Sequence, residues 1–357
     1  MSSNDQSIPI RVMLVEDSPL QLHIIKSVLN ADPRIVVIGT ATNGAEALLL
    51  LPKLKPDVIC TDYHMPVMDG LEFIQKAVKI FPCPILVLSI SVQPDQVDNI
   101  FKLLSAGALD VMFKPRATGG VIGQEDGLKL VDKICILNGV KYINKRPSKA
   151  LPVRDAKCFV PRIVPTRVVV IGASTGGPQA FEKIFLNLKR DFSVPIVCVQ
   201  HISLGFINGM ITWLRGISNL TFEVAKAGGM PMPGHVYFPP ERMHLTFAHD
   251  GSFVLTEPIA GEIYCPSIDQ LLLSAAKIYG SSSVGVLLSG MGRDGAQGMK
   301  AIFDEGGDTI AQDEESCVIF GMPAAAIELG VVCEVLSATD IPHYLNKLPS
   351  LKTLYGR

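Results

Sequence analysis

The chain has 357 residues, 32 Lys and Arg against 34 Asp and Glu, a net charge of −2, and 48% hydrophobic content. That length exceeds one ordinary core, so about two domains are expected, and the hydrophobic content excludes a disordered polymer. The near-neutral charge gives no global field for nucleic acid or an anionic membrane, and the longest apolar runs are strand-length rather than bilayer-spanning. The start, Met-Ser-Ser-Asn-Asp-Gln, lacks the basic residues of a signal peptide, so a cytoplasmic protein without membrane insertion is expected. The eight cysteines include no Cys-x-x-Cys pair and several sit in apolar runs. Free buried thiols in a reducing compartment are expected, with no zinc site.

In chain order, apolar β-branched runs predict strands at residues 10–15, 35–41, 58–61, 85–89 and 110–113. Helical spacing separates them at 21–29, 45–54, 70–80 and 96–105, and a last helix covers 128–137. Five βα units in series imply a doubly wound parallel sheet with ligands at the strands' carboxyl ends. Residues 141–166 are rich in Lys, Arg and Pro without periodicity and are predicted to be a solvated linker. The expected domains are therefore 1–140 and 167–357.

From Arg167 a second alternation begins, with strands predicted at 168–172, 196–200, 235–238, 284–288, 308–311 and 331–335. Helices are predicted at 179–188, 269–279, 296–305 and 323–329. Short strands at 244–247 and 253–256 suggest an antiparallel hairpin appended to this sheet. The fold class is thus α/β with two doubly wound parallel-sheet domains.

In the first domain, polar residues fall at strand ends: Glu16-Asp17, Asp62, Ser89 and Lys114. A parallel sheet brings those ends together. Three carboxylates that close repel one another unless a hard cation binds them, and Mg²⁺ suits such an all-oxygen site. The metal and Lys114 would neutralise a phosphoryl group on Asp62, with Ser89 donating a hydrogen bond to it. With Asp62-Tyr-His-Met-Pro-Val-Met-Asp-Gly70 between them, these residues resemble a response-regulator receiver domain. The resemblance implies Asp62 as phosphoacceptor, Glu16, Asp17 and the His64 carbonyl as metal ligands, and a histidine kinase as phosphate donor. Receivers usually carry an aromatic three residues before the lysine; here that residue is Val111.

In the second domain, Val-Val-Val-Ile-Gly-Ala-Ser-Thr-Gly-Gly177 runs from a buried strand into a glycine turn and a helix. Such a turn lifts Ser174 to the sheet's carboxyl edge and aims helix amides at whatever it attacks. Taken alone, the turn also fits a phosphate-binding loop. His201 directly follows the next strand and is a candidate base, and Asp294 in Ser289-Gly-Met-Gly-Arg-Asp-Gly295 follows another. Alone, His201 reads as a strand-end residue and Asp294 as an N-cap for the helix from Gly295. Together the three read as a hydrolase triad. Their order, Ser, His, Asp, disfavours an α/β-hydrolase. His235, His244 and His249 are assigned structural or rim roles.

Nearly the whole chain is similar to the chemotaxis protein-glutamate methylesterase family. The second half carries Gly172-Ala-Ser-Thr-Gly-Gly177, Gln200-His201, Pro233-Gly-His-Val-Tyr237, Pro266-Ser-Ile-Asp269, Ser289–Gly295 and Ala311–Pro323. The resemblance implies Ser174 as nucleophile, His201 as general base and Asp294 as its orienter, with oxyanion-hole amides from Thr175 and Met291. It further implies γ-glutamyl methyl esters on chemoreceptor helices as substrates, deamidation of receptor glutamines, and no cofactor for the hydrolysis. Two departures bear on receptor docking: Cys265 where the family often has Arg, and Ile202-Ser203 where it often has Met-Pro. In the unphosphorylated state the receiver is expected to restrict access to the triad. Readings from other classes are a non-catalytic docking module gated by phosphorylation and a general small-molecule esterase.

Overall fold

The computed structural model describes residues 8–89, 94–115, 117–118, 121–122, 124–139 and 164–348, with the backbone alone at 94–99, 117–118, 121–122 and 124–125. Almost all of the predicted linker lies outside the described residues. The chain divides into two compact units, Met1–Asn144 and Lys145–Arg357.

The first unit contains, in order, β1 (Ile10–Val15), α1 (Pro19–Asn30), β2 (Ile35–Ala41), α2 (Gly44–Leu54), β3 (Val58–Asp62), α3 (Gly70–Ile80), β4 (Ile85–Ser89), α4 (Pro94–Ser105), β5 (Asp110–Phe113), β6 (Ala117–Thr118), β7 (Val121–Ile122) and α5 (Gln124–Asn138). β6 and β7 form a small antiparallel pair. The other strands make a parallel sheet in the order β2-β1-β3-β4-β5. β3 and β4 are buried along their whole length, as continuous apolar strands covered on both faces should be. Capping sets the helix starts. Ser18 accepts a bond from the Gln21 amide and Pro19 occupies the first turn, so α1 begins two residues before the predicted 21. Asn43 and Asp69 cap α2 and α3 in the same way.

The second unit contains β8 (Val168–Ala173), α6 (Gly177–Asn187), β9 (Ile196–Gln200), α7 (Ile207–Ile217), β10 (Thr221–Val224), β11 (His235–Phe238), β12 (His244–Phe247), β13 (Phe253–Thr256), α8 (Ile268–Tyr279), β14 (Ser283–Leu287), α9 (Ala296–Asp304), β15 (Asp308–Gln312), α10 (Met322–Glu328), β16 (Glu334–Leu336) and α11 (Ile341–Leu345). Seven strands form a parallel sheet in the order β10-β11-β9-β8-β14-β15-β16. β12 and β13 pair as a separate antiparallel hairpin. Its Leu245, Phe247 and Phe253 share a core with Leu271, Leu272 and Ala275 of α8.

Besides the short pair β6 and β7, three elements were not predicted. α7 buries Ile207, Met210, Ile211 and Leu214, a helical stripe that Gly209 and Gly216 obscure in the sequence. β10 is a four-residue edge strand and α11 spans five residues. β16 begins three residues later than expected, while His235 opens β11 of the parallel sheet at the predicted position.

Both sheets contain a switch point. In the first, the chain leaves β1 to one side for β2 and then crosses to β3 on the other. In the second, β9 and β11 lie to one side of β8, and the chain then crosses to β14 on the other. Open α/β sheets hold their ligands in the crevice outside the carboxyl ends at such points. Asp62 lies at the first crevice and Ser174 at the second.

Candidate phosphoacceptor and active sites

Asp62 is the last residue of β3, and Glu16-Asp17 follow β1 directly. The buried Lys114, one residue beyond β5, places Nζ 2.6 Å from Asp62 Oδ2 and 2.6 Å from Glu16 Oε2. The contact to Asp62 is a directed hydrogen bond. The contact to Glu16 is a close ion pair only, and buried Glu16 Oε2 has no hydrogen-bond donor among the described residues. Burial pushes the Glu16 carboxyl above its usual range, against the close positive charge of Lys114. Carboxylate oxygens of Glu16, Asp17 and Asp62 lie within 4.8 Å of one another, with Asp17 exposed. Ser89 ends β4 and is buried, and its carbonyl accepts the Lys114 amide at 2.8 Å. The sheet thus gathers these five residues around one crevice. His64 is exposed two residues beyond Asp62, and Val111 is buried within β5.

In the second unit, backbone bonds lock three neighbouring strand ends together. The His201 amide donates to the Ala173 carbonyl at 2.9 Å, and the Ser174 amide donates to the Ser289 carbonyl at 3.0 Å. The buried Gln200 amide group donates both to the Ser174 carbonyl (2.7 Å) and to the His201 carbonyl (2.8 Å). α6 starts over Gln200 only because residue 177 is glycine; a Cβ there would lie 2.0 Å from Gln200 Oε1. Ser289 Oγ donates to the Thr175 carbonyl at 2.7 Å and accepts the amides of Val318 and Ile319. This anchors the turn that follows Ser174 to the loop after β15.

His201 Nε2 lies 2.9 Å from Asp294 Oδ2. Among the described residues, Ser174 Oγ and His201 Nδ1 have no hydrogen-bond partner, so both are open to an incoming molecule. Met291 is half exposed on the loop after β14, while Thr175 is buried.

Asp294 does not cap the helix that follows it. α9 begins with Gly295 at its cap and without a side-chain bond. The Asp294 carboxylate instead receives the first amides of α8, Ile268 at 2.8 Å and Asp269 at 2.8 Å, together with Ser267 Oγ at 3.2 Å. Asp269 returns the arrangement by accepting the Gly298 amide of α9 at 2.7 Å. The two helices exchange caps across a packing that brings α8 onto β8, where a Cβ on Gly172 would lie 2.2 Å from Ile268. Burial raises the Asp294 pKa, but the His201 bond and the two amides outweigh it and hold the carboxyl below its ordinary 3.8. Asp294 is therefore a fixed anion aimed at Nε2 of the imidazole. Gln200, Ser267, Ser289 and Asp269 were missed as site residues. All four stood in the motifs quoted above, and Ser267, with Gln270 three residues on, also had a recognisable capping pattern.

His244 is buried, with Nδ1 accepting the Ser267 amide at 3.1 Å and Nε2 paired with Glu262 at 2.9 Å. His235 lies 3.2 Å from Glu223 and His249 is exposed. Among the described residues six cysteines are free, as expected, but Cys333 is disulfide-bonded, against the expectation of free thiols. No helix among the described residues is long and apolar enough to cross a membrane.

The CheB methylesterase family profile matches residues 169–345, and the response regulator receiver domain profile matches residues 12–134. A protein-glutamate methylesterase/protein-glutamine glutaminase of Nitrosospira multiformis is 38% identical over 343 residues, covering 95% of this chain and 97% of its own. A second, from Anaeromyxobacter dehalogenans, is 39% identical over 345 residues, again covering 95% and 97%. The CheB methylesterase catalytic domain of Thermotoga maritima is 41% identical with a TM-score of 0.50, covering 52% of this chain and 99% of its own. Fold and matches together define a response regulator whose output unit is a carboxylic ester hydrolase. The chain belongs to the protein-glutamate methylesterase/protein-glutamine glutaminase family.

Proposed function

We propose that this protein hydrolyses γ-glutamyl methyl esters, and deamidates glutamines, on the cytoplasmic helices of chemoreceptors, under control of a chemotaxis histidine kinase. The observation that carries the proposal is the 2.9 Å His201–Asp294 pair on the crevice where β8 delivers Ser174. Ser174 Oγ attacks the ester carbonyl while His201 Nδ1 takes its proton. Nε2–H stays on Asp294, which holds the tautomer that leaves Nδ1 free to accept. Amides of Thr175 and Met291 receive the oxyanion, each donor being worth about 3 kcal/mol of barrier. The intermediate collapses as His201 returns the proton to the methoxy oxygen and methanol leaves. Water then gives a proton to His201 and attacks the glutamyl-enzyme, which releases a receptor carboxylate and restores Ser174. With a glutamine substrate the leaving group is ammonia.

In the receiver, Asp62 accepts the phosphoryl group, with Lys114 and Ser89 as its contacts. Glu16, Asp17, Asp62 and the His64 carbonyl would hold Mg²⁺, an all-oxygen set of hard donors that includes the undirected Glu16 Oε2. A bound Mg²⁺ supplies charge neutralisation to the phosphoryl oxygens. Lys114, already shared between two carboxylates, is free to follow the new dianion.

Full-length protein should release methanol from membranes carrying methylated receptors, and acetyl phosphate should raise the rate. Asp62→Ala should retain the unstimulated rate and lose the increase. Equal stimulation of wild type and variant would contradict control through Asp62.

A further inference from the structure

A single bond from Nε2 to Asp294 fixes one point of the His201 imidazole but not its plane. The ring can still pivot about that point and carry Nδ1 away from Ser174. Small misplacements of this kind are costly in catalysis. The structure supplies a second constraint outside the triad. Tyr264 stacks on His201 with ring centroids 5.0 Å apart and planes 3° from parallel. Its hydroxyl lies against Gly292, where a Cβ would sit 2.7 Å from the hydroxyl oxygen. The phenol is thus held between the imidazole and the loop that carries Met291 and Asp294.

Tyr264 belongs to the segment joining β13 to α8, and that segment is pinned near both ends of its second half. His244 Nδ1 accepts the Ser267 amide, so its proton is on Nε2 and is donated to Glu262 Oε2 at 2.9 Å. Glu262 also accepts the Ile259 amide at 2.9 Å and the Gln270 side chain at 3.0 Å. One buried imidazole therefore staples residues 262 and 267 together. Between them the adjacent side chains part company: Ile263 is 85% exposed while Tyr264 turns inward onto His201.

We infer that Tyr264 is a positioning residue for the hydrolase, setting the plane of His201 so that Nδ1 faces Ser174, and that His244, Glu262 and Ser267 hold Tyr264 in place. The inference rests on His201 being the base. A planar aromatic side chain is required at this position and the hydroxyl is dispensable.

The test is the rate at which Ser174 of the full-length protein is labelled by a fluorophosphonate, together with kcat and KM on methylated receptor membranes. Tyr264→Leu should lower labelling and kcat by about tenfold with KM within about twofold, the pattern of a misplaced base rather than lost binding. Tyr264→Phe should restore both. Should the leucine variant not fold, Glu262→Ala, which frees the segment by removing the His244 partner without touching the His201 ring, should lower labelling by about threefold, a partial loss of base placement. Wild-type labelling in Tyr264→Leu, or equal losses in the Phe and Leu variants, would overturn the inference. Absence of labelling in the wild type would instead remove the base assignment on which it rests.

Discussion

Alanine in place of Ser174 should lower methanol release by about five to six orders of magnitude, as removal of a triad nucleophile does elsewhere. The fold should hardly notice. Among the described residues Ser174 Oγ bonds nothing, so its loss leaves no partner unsatisfied. The backbone bonds that shape the turn, to Ser289, Gln200 and Gly177, do not involve the hydroxyl. Stability should change by no more than about 0.5 kcal/mol, the range of sites without buried contacts. Denaturant titration beside the methanol assay separates the two effects. A variant that keeps more than a few per cent of activity would show that Ser174 is not the nucleophile.

Asparagine in place of Asp294 should cost about four orders of magnitude in kcat, for a different reason. The carboxylate lies 2.9 Å from His201 Nε2, and in the proposed mechanism it keeps the proton there and leaves Nδ1 as the acceptor for the Ser174 proton. An amide that turns its NH₂ toward Nε2 reverses the tautomer. If it turns its oxygen there, the NH₂ meets the Asp269 amide and the Ser267 hydroxyl, which now lack an acceptor. Either way a buried donor of the α8 cap is stranded, at about 1–3 kcal/mol. Asp294→Asn should therefore lose stability as well as activity, unlike Ser174→Ala.

The acid limb of stability should change too. The folded Asp294 carboxyl sits below the 3.8 of the unfolded chain, so the unfolded state binds the extra proton first. Its stabilising contribution is present above pH 3.8 and is lost as the pH falls through the lower folded value. Denaturant midpoints measured across this window should fall less steeply in Asp294→Asn than in wild type. An unchanged slope would mean that the cap and the imidazole do not hold the carboxylate as described.

Both sheets were legible because parallel strands buried on two faces are written as uninterrupted β-branched runs, such as Val168–Ala173. The sites followed, since residues immediately after such runs share one edge: Ser174, His201 and the loop to Asp294 in one unit, Glu16, Asp62 and Lys114 in the other. What stayed hidden depended on contacts between distant segments. Asp294 looked like a cap for the helix beside it, and only the packing of α8 onto β8 through Gly172 shows that it caps Ile268 and Asp269 instead. Tyr264 gave no signal because stacking on His201 bridges 63 positions of sequence and has no periodicity. α7 was missed for a local reason, its apolar stripe being interrupted by glycines that a packed helix tolerates when the stripe itself is buried.

The role of Ser174 is most directly tested by mapping the site of a fluorophosphonate adduct on the full-length protein by peptide mass spectrometry. A single adduct should fall on the peptide containing Ser174, with methanol release lost in proportion to its occupancy. An adduct confined to another residue, or full hydrolysis by protein whose Ser174 is completely modified, would show that the chemistry is done elsewhere.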